Sequence, residues 1–159
     1  MRSMDIFSRV RLRPSQMRTV ADRRFADAEA LRRTGKNAHA NGAMYLAGFV
    51  IECLLKAQLL EKHPWLQSAS SPEGRTPREQ RLWSLLYRSH NLDEILDYLP
   101  SVRKRVAQEE QRGVRELTRA LNTVCAEWTV FARYSPHSAD IDDARDFLDQ
   151  VKELRRCLR

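Results

Sequence analysis

The sequence predicts an all-α fold arranged around one buried central helix. Apolar residues recur at three- and four-residue spacings in five segments, and no segment alternates between hairpin turns as strands would. One of these segments, Met44–Leu60, is apolar nearly all round, so other helices must cover it on most sides. A chain of 159 residues buries roughly 70% of its unfolded surface, which is enough for one domain.

The first helix is predicted over Ser15–Arg33, with Pro14 before it and Gly35 ending it. Its apolar face consists of Met17, Ala21, Phe25, Ala28 and Leu31. Its other face is basic. Because the first predicted helix begins next to Pro14, we predict a basic N-terminal extension over residues 1–13 and a helical domain over residues 14–159.

The central helix is predicted over Ala38–Lys62 and is closed by His63-Pro64. It contains Gly42 and Gly48. An interior glycine costs a helix about 1 kcal/mol relative to alanine, so these two positions predict close approach of a neighbouring helix.

The middle of the chain predicts a loop followed by two short helices. Residues 67–80 contain two prolines, a glycine and little that is apolar, which predicts a mobile loop. A short helix follows over Leu82–Tyr87. Asn91 is then placed to cap a helix over Leu92–Leu99, which Pro100 stops.

The last third of the chain predicts one long helix and one final helix. The long helix runs over Ser101–Ala132, with an inner face of Val114, Leu117, Leu121, Val124, Trp128 and Phe131. Ser138 is the predicted cap of the final helix, and its inward positions are Ile141, Ala144, Leu148, Val151 and Leu158.

Positive charge is concentrated at the start of the chain. The net charge is +7, and residues 1–36 hold ten Lys or Arg against four Asp or Glu, a local balance of +6. Such a distribution suits an acidic partner, RNA above all, although a solvated arginine-rich helix has the same composition.

Cysteine usage and hydropathy predict a cytoplasmic protein. The three cysteines, Cys53, Cys125 and Cys157, are far apart and odd in number, which suits a reducing compartment. The basic start is not followed by the apolar stretch of about 7 to 15 residues that a secretory signal needs. Charged and polar residues interrupt the apolar central helix short of the roughly 20 residues that a membrane span requires, so we expect no membrane association.

No cofactor or metal is expected from the motifs present. The sequence has no glycine-rich phosphate loop, no cluster of His, Cys and carboxylates at metal-ligand spacing, and no nucleophile elbow. These observations argue against an NTPase, a metalloenzyme or a hydrolase of the usual kinds.

Glu52 and Lys56 are the first polar residues that suggest a function. They lie four residues apart on a helix that is otherwise buried. A buried charge must be paired, so they predict either an ion pair that orients the bundle or a pair of groups facing a ligand or phosphate.

A longer run that includes these two residues, NGAMYLAGFVIECLLKA over residues 41–57, resembles the signature helix of HEPN domains. Two later features agree with the resemblance: His90-Asn91-Leu92 opens the next capped helix, and Trp128 precedes Arg133-Tyr134. The resemblance covers residues 18–158. It implies a bundle of four to five helices that commonly forms a homodimer in prokaryotic toxin–antitoxin modules, phage defence and RNA processing.

The active HEPN members that the chain resembles are metal-independent endoribonucleases. Their motif is an arginine, four to six intervening residues, and a histidine. Arg133 and His137 are the corresponding residues here, with three residues between them, one fewer than the shortest spacing of that motif. Histidine can exchange the proton of the 2′-hydroxyl or the leaving group, and arginine can hold the charge on phosphorus, so such a pair is chemically suited to RNA cleavage.

Three readings of the function follow from the resemblance. In the first, the chain is an RNA-directed effector whose Arg133 and His137 cut RNA, with Glu52, Lys56, His90, Asn91 and Tyr134 as candidate binding residues for RNA or a nucleotide. In the second, it is a non-catalytic subunit that binds a nucleotidyltransferase, an antitoxin or another defence protein, and a purely structural adaptor is a third reading. His90 could serve as a base or only as a hydrogen-bonding group near a helix cap, and Tyr134 could instead close the bundle.

Overall fold

The computed structural model describes residues 11–114 and 116–159, and within these ranges every regular element is helical. The all-α class is therefore confirmed. Residues 1–10 of the predicted N-terminal extension lie outside the described residues. Seven α-helices are present: α1 Pro14–Arg33, α2 Ala40–Lys62, α3 Pro77–Tyr87, α4 Leu92–Asp97, α5 Pro100–Gln111, α6 Leu117–Glu127 and α7 Ile141–Leu158. Short 3₁₀ turns cover Asn37–His39, Pro64–Gln67 and Val130–Tyr134.

The central position of α2 is confirmed. This helix packs against α1, α4 and α7, and nearly all of its residues from Val50 to Leu60 are fully buried. By length and composition Asn37–Lys62 could cross a membrane, but 78% of its most apolar stretch is buried against the rest of the chain. The core helix of a soluble protein has the same properties, so this composition is weak evidence for a membrane span.

The two glycines of α2 both mark close contacts. A β-carbon on Gly42 would lie 3.2 Å from the Leu31 side chain of α1. A β-carbon on Gly48 would overlap the indole of Trp128, at 1.9 Å from Nε1. Close approach at these positions was predicted, and Gly48 is where it is tightest.

The helix before Asn91 starts earlier than its apolar residues indicate. It begins at Pro77, not Leu82, and its first turn is closed by a capping box in which Glu79 and Thr76 bond reciprocally. Proline suits the first turn of a helix because its missing N–H would have no partner there. The loop thus ends at Thr76, and the last four residues of the predicted loop region, 77–80, are helical.

The predicted long helix is two helices. Gly113 has a φ of 109° and Glu116 a φ of 58°, so the chain leaves helical geometry between α5 and α6. Leu117, Leu121 and Val124 are buried as predicted, as is Trp128 just beyond α6.

Phe131 was predicted to face inward and does not. Because α6 ends at Glu127 and the chain turns into a 3₁₀ segment, the helical period no longer applies at this residue, and its side chain is 71% exposed.

The side chains of Asn91 and Asp140 cap α4 and α7. Asn91 caps α4 as predicted, because its Oδ1 accepts from the Glu94 amide at 3.1 Å, although α4 ends at Asp97. The cap of α7 is Asp140, not Ser138: its Oδ1 accepts from the amides of Asp142 and Asp143 at 2.9 and 2.8 Å. The inner face of α7 is buried as predicted at Ala144, Leu148, Val151 and Leu158, with Ile141 half-buried.

Candidate functional site

Glu52 and Lys56 form an ion pair inside the protein. Oε1 of Glu52 lies 2.8 Å from Nζ of Lys56, and each side chain is only 6% exposed. Lys56 also donates from Nζ to the Ser89 carbonyl oxygen at 2.8 Å. A buried charge must be satisfied by partners at this range. The pair therefore ties α2 to the segment that precedes α4.

His90 completes this cluster from the neighbouring segment. Its Nδ1 is 3.0 Å from both carboxylate oxygens of Glu52. An ionised carboxylate only accepts hydrogen bonds, so Nδ1 carries the proton that it donates to Glu52. In the neutral imidazole this leaves a lone pair on Nε2, and the His90 side chain is 45% exposed. A buried carboxylate therefore fixes both the tautomer and the orientation of a partly exposed histidine.

Aromatic rings support the same cluster. Phe49 packs edge-on against His90, with ring centroids 6.0 Å apart, and edge-on against Trp128 at 5.0 Å. Nε1 of Trp128 donates to the Tyr45 carbonyl oxygen at 3.2 Å. Trp128 is therefore a buried anchor at the point where the chain leaves α6.

A cleft of about 770 Å³ opens beside His90. One wall is the segment from Arg88 to Asp93, and the other is formed by Trp128, Thr129, Val130 and Phe131. We name it the His90 cleft. Its volume lies in the range of about 300–1,000 Å³ that is typical of small-ligand sites.

Arg133 and Tyr134 lie on the exposed 3₁₀ turn that follows. The guanidinium carbon of Arg133 is 4.8 Å from the centre of the Tyr134 ring, a cation–π contact. Tyr134 is 71% exposed, so it does not close the bundle. Among the residues described, no carboxylate lies within ion-pair distance of Arg133.

His137 is exposed at its side chain and held at its backbone. Its carbonyl oxygen accepts from Asn41 Nδ2 at 2.7 Å, and Asn41 Oδ1 accepts from the Ala139 amide, also at 2.7 Å. Asn37 Oδ1 accepts in the same way from the Ile141 amide at 3.0 Å. Two asparagines, one in the 3₁₀ turn before α2 and one in its first turn, thus fix the chain on either side of Ala139.

A second cleft, of about 340 Å³, lies next to His137. It is lined by residues of α2, of the segment after α6 and of α7, including Tyr45, Trp128 and Phe147. We name it the His137 cleft. Arg133 is not one of its lining residues.

The structure therefore separates the predicted site residues into two groups. His90 and Asn91 line the His90 cleft, where Asn91 caps α4, and the buried Glu52–Lys56 pair contacts His90 and Ser89 without lining the cleft itself. Arg133, Tyr134 and His137 occupy the exposed segment on the other side of Trp128.

Three contributors to these sites were not predicted: Arg88 and Phe131 of the His90 cleft, and Asn41, which holds the His137 backbone. The His90–Glu52 contact joins residues 38 positions apart. No local spacing reveals such a contact. The only available signal was that a buried carboxylate requires a partner.

The described part of the chain has few features that support metal binding or thiol chemistry. Between residues 11 and 159, leaving out Arg115, no three His, Cys, Asp or Glu side chains come together as metal ligands would. Burial raises the pKa of the Cys53 and Cys125 thiols to about 12. A thiol of this kind is a poor nucleophile at neutral pH.

The chain matches no protein-family model, and its comparison with curated proteins and with solved structures finds no match either. The likeness to HEPN domains therefore depends on the residues of α2, on His90-Asn91-Leu92 and on Trp128 with Arg133-Tyr134.

Proposed function

We propose that this chain is a HEPN-like, RNA-directed effector of the toxin–antitoxin or phage-defence type, in which Arg133 and His137 form the catalytic pair of a metal-independent endoribonuclease. The observation that supports this proposal most is the construction of residues 129–139. The backbone of this segment is held at Trp128 and at Asn41, while the Arg133 guanidinium and the His137 imidazole are exposed.

This arrangement suits RNA cleavage without a metal. An exposed imidazole can take the proton of a ribose 2′-hydroxyl, and an exposed guanidinium can hold the charge that develops on phosphorus. Asn41 holds the backbone at His137 and Ala139 before the substrate arrives, which lowers the entropic cost of placing the imidazole. Within residues 11–114 and 116–159, neither side chain is engaged in an ion pair that it would have to break.

The spacing of the pair is compatible with this role in a homodimer. Three residues separate Arg133 and His137, and Pro136 lies between them, so the segment is a turn and helical spacing does not govern it. In a homodimer that pairs two such segments, Arg133 of one copy could act with His137 of the other. The exposed ring of Tyr134 beside them is the kind of aromatic surface that contributes most to an interface.

The decisive experiment is RNA cleavage in EDTA. Purified protein is incubated with total cellular RNA, and the wild type is compared with Arg133→Ala and His137→Ala. Arg119→Ala is a matched control, because this arginine is also highly exposed but lies on α6. We expect cleavage by the wild type and the control, and a loss of about 100-fold or more in each test variant. Cleavage that both test variants retain would rule out this pair.

One observation favours the second function class, a non-catalytic assembly subunit. Phe131 and Tyr134 are both 71% exposed, and large exposed aromatic side chains on adjacent turns are a typical partner-binding surface. If the wild type leaves RNA intact, light scattering after size exclusion on Phe131→Ser and Tyr134→Ser variants separates self-association from binding of a nucleotidyltransferase or antitoxin. A loss of the dimer would assign these residues to the homodimer face.

A further inference from the structure

We infer that the His90 cleft is a binding site for single-stranded RNA that distinguishes RNA from DNA through the ribose 2′-hydroxyl. In this site Nε2 of His90 accepts the 2′-hydroxyl proton, Arg88 binds the adjacent phosphate, and Phe131 stacks on a base. The inference rests on the proposed function in one respect, that the ligand is RNA.

The first step concerns the histidine. Glu52 is almost fully buried, and both of its oxygens face Nδ1 of His90 at 3.0 Å. The negative charge of Glu52 is already matched by Lys56 at 2.8 Å. With Nδ1 donating to Glu52, the neutral form of the imidazole has its acceptor at Nε2; His90 lines the cleft, and no hydrogen bond to Nε2 is made by the described residues.

The second step concerns charge. Arg88 is exposed and its guanidinium carbon lies 5.0 Å from the centre of the Trp83 ring, which holds the side chain without neutralising it. Arg81, at the same wall, is engaged by the Glu94 carboxylate. Asp93 also lines the cleft and has a weak partner in Arg103 at 3.9 Å. Arg88 is thus the cation that remains available for a phosphate.

The third step concerns the opposite wall. Phe131 lines the cleft and is 71% exposed. The apolar spacing of the predicted long helix had placed it on the buried face. An arginine that pairs with no carboxylate of the described residues and an exposed aromatic ring in one cleft are groups that single-strand binding uses, since a phosphate can contact the cation and a base can stack on the ring. The cleft volume of about 770 Å³ accommodates a nucleotide unit.

The His90 acceptor, the Arg88 guanidinium and the Phe131 ring together favour RNA over DNA. A phosphate contact and a stacked base are common to both nucleic acids, whereas only RNA has a 2′-hydroxyl to donate to a histidine acceptor. The 2′-hydroxyl contact is worth one hydrogen bond, so we expect RNA to bind about threefold to tenfold more tightly than DNA of the same sequence.

The test compares two oligonucleotides that differ only at the 2′ position, hexauridylate and hexadeoxyuridylate, by calorimetric titration. Binding is measured on the His137→Ala protein, with strand integrity checked by electrophoresis. We expect His90→Ala to remove the preference for the ribose form. Arg88→Ala and Phe131→Ala should each lower the affinity for both oligonucleotides equally, by about tenfold. Arg119→Ala, on α6, is the control and should change neither.

A second measurement avoids dependence on the folding of the His90 variant. Nitrogen NMR of the wild-type imidazoles should show the His90 Nε2 resonance shifting when hexauridylate is added and remaining in place with hexadeoxyuridylate. Equal affinity of the two oligonucleotides for the unsubstituted cleft, or an unmoved Nε2 resonance at saturation, would overturn the inference.

The outcome is separable from that of the proposed function. If RNA cleavage requires Arg133 and His137 but His90 confers no preference for ribose, the ribonuclease proposal is supported and the RNA site at His90 is refuted. If the protein cuts no RNA but binds it with a ribose preference that depends on His90, the RNA site at His90 is supported and the catalytic role of Arg133 and His137 is refuted.

Discussion

Adding a single methyl group at Gly48 tests how closely α2 and Trp128 are packed. A β-carbon there would lie 1.9 Å from Nε1, 2.1 Å from Cδ1 and 2.2 Å from Cε2 of the indole, whereas ordinary contact begins at 3.4 Å. The ring must therefore move by about 1.5 Å, the difference between the shortest of these distances and ordinary contact. Such a movement breaks the 3.2 Å hydrogen bond from the indole to the Tyr45 carbonyl oxygen.

The expected loss of stability follows from three terms. Overpacking costs about 1–3 kcal/mol, the lost hydrogen bond costs about 1 kcal/mol, and alanine in place of glycine returns about 1 kcal/mol of helix propensity. The net destabilisation of Gly48→Ala is about 1–3 kcal/mol, which lowers Tm by roughly 3–10 °C in a domain of this size.

Urea and thermal denaturation followed by circular dichroism measure this change. Gly42→Ala is the matched control, because its β-carbon would meet only the flexible end of Leu31 at 3.2 Å, and we expect it to be neutral or slightly stabilising. A Gly48→Ala protein that is as stable as the wild type would refute the packing described here.

Three further predictions concern buried and capped groups. Glu52→Ala leaves Lys56 buried without its partner, so we expect a loss of about 3–5 kcal/mol in urea denaturation; a loss below about 1 kcal/mol would mean that the pair is solvated. Hydrogen bonds donated by the Thr76 amide and hydroxyl lower the pKa of Glu79 below its ordinary value of 4.5. The stabilisation from these bonds is therefore present at pH values above 4.5, and it is lost as the pH falls through the lowered pKa. Glu79→Gln should therefore destabilise the protein at pH 7 and have a progressively smaller effect as the pH is lowered below 4.5, and an effect that does not change with pH would contradict the assignment. Finally, an aromatic disulfide reagent at pH 8 should modify the half-buried Cys157 first and reach the two buried thiols only on unfolding, whereas rapid modification of three thiols in the native protein would show that the core opens readily.

Local patterns were sufficient wherever one element determined its own structure. The apolar run of α2 predicted a helix covered on most sides, and Asn91 predicted the start of α4, because burial and capping depend on residues close in sequence. The same reasoning misplaced Phe131. Its period continued from α6, but the helix had already ended at Glu127.

The candidate sites depend on contacts that local patterns do not contain. His90 reaches Glu52 across 38 positions, and Asn41 reaches the His137 carbonyl across 96. The sequence indicated that Glu52 needs a partner and that His90 lies near a cap, yet it could not show that each satisfies the other. Tertiary packing decided this, as it decided the end of α6 at Glu127, after which Phe131 is exposed.

Trp128 borders both clefts, and this position makes it a built-in optical sensor. The chain has only two other tryptophans, Trp65 and Trp83. Replacing those two with phenylalanine would leave a single emitting indole shared by the two cavities. Quenching of its emission by a ligand, repeated with His90 or His137 substituted, would then show in real time which of the two cavities fills first.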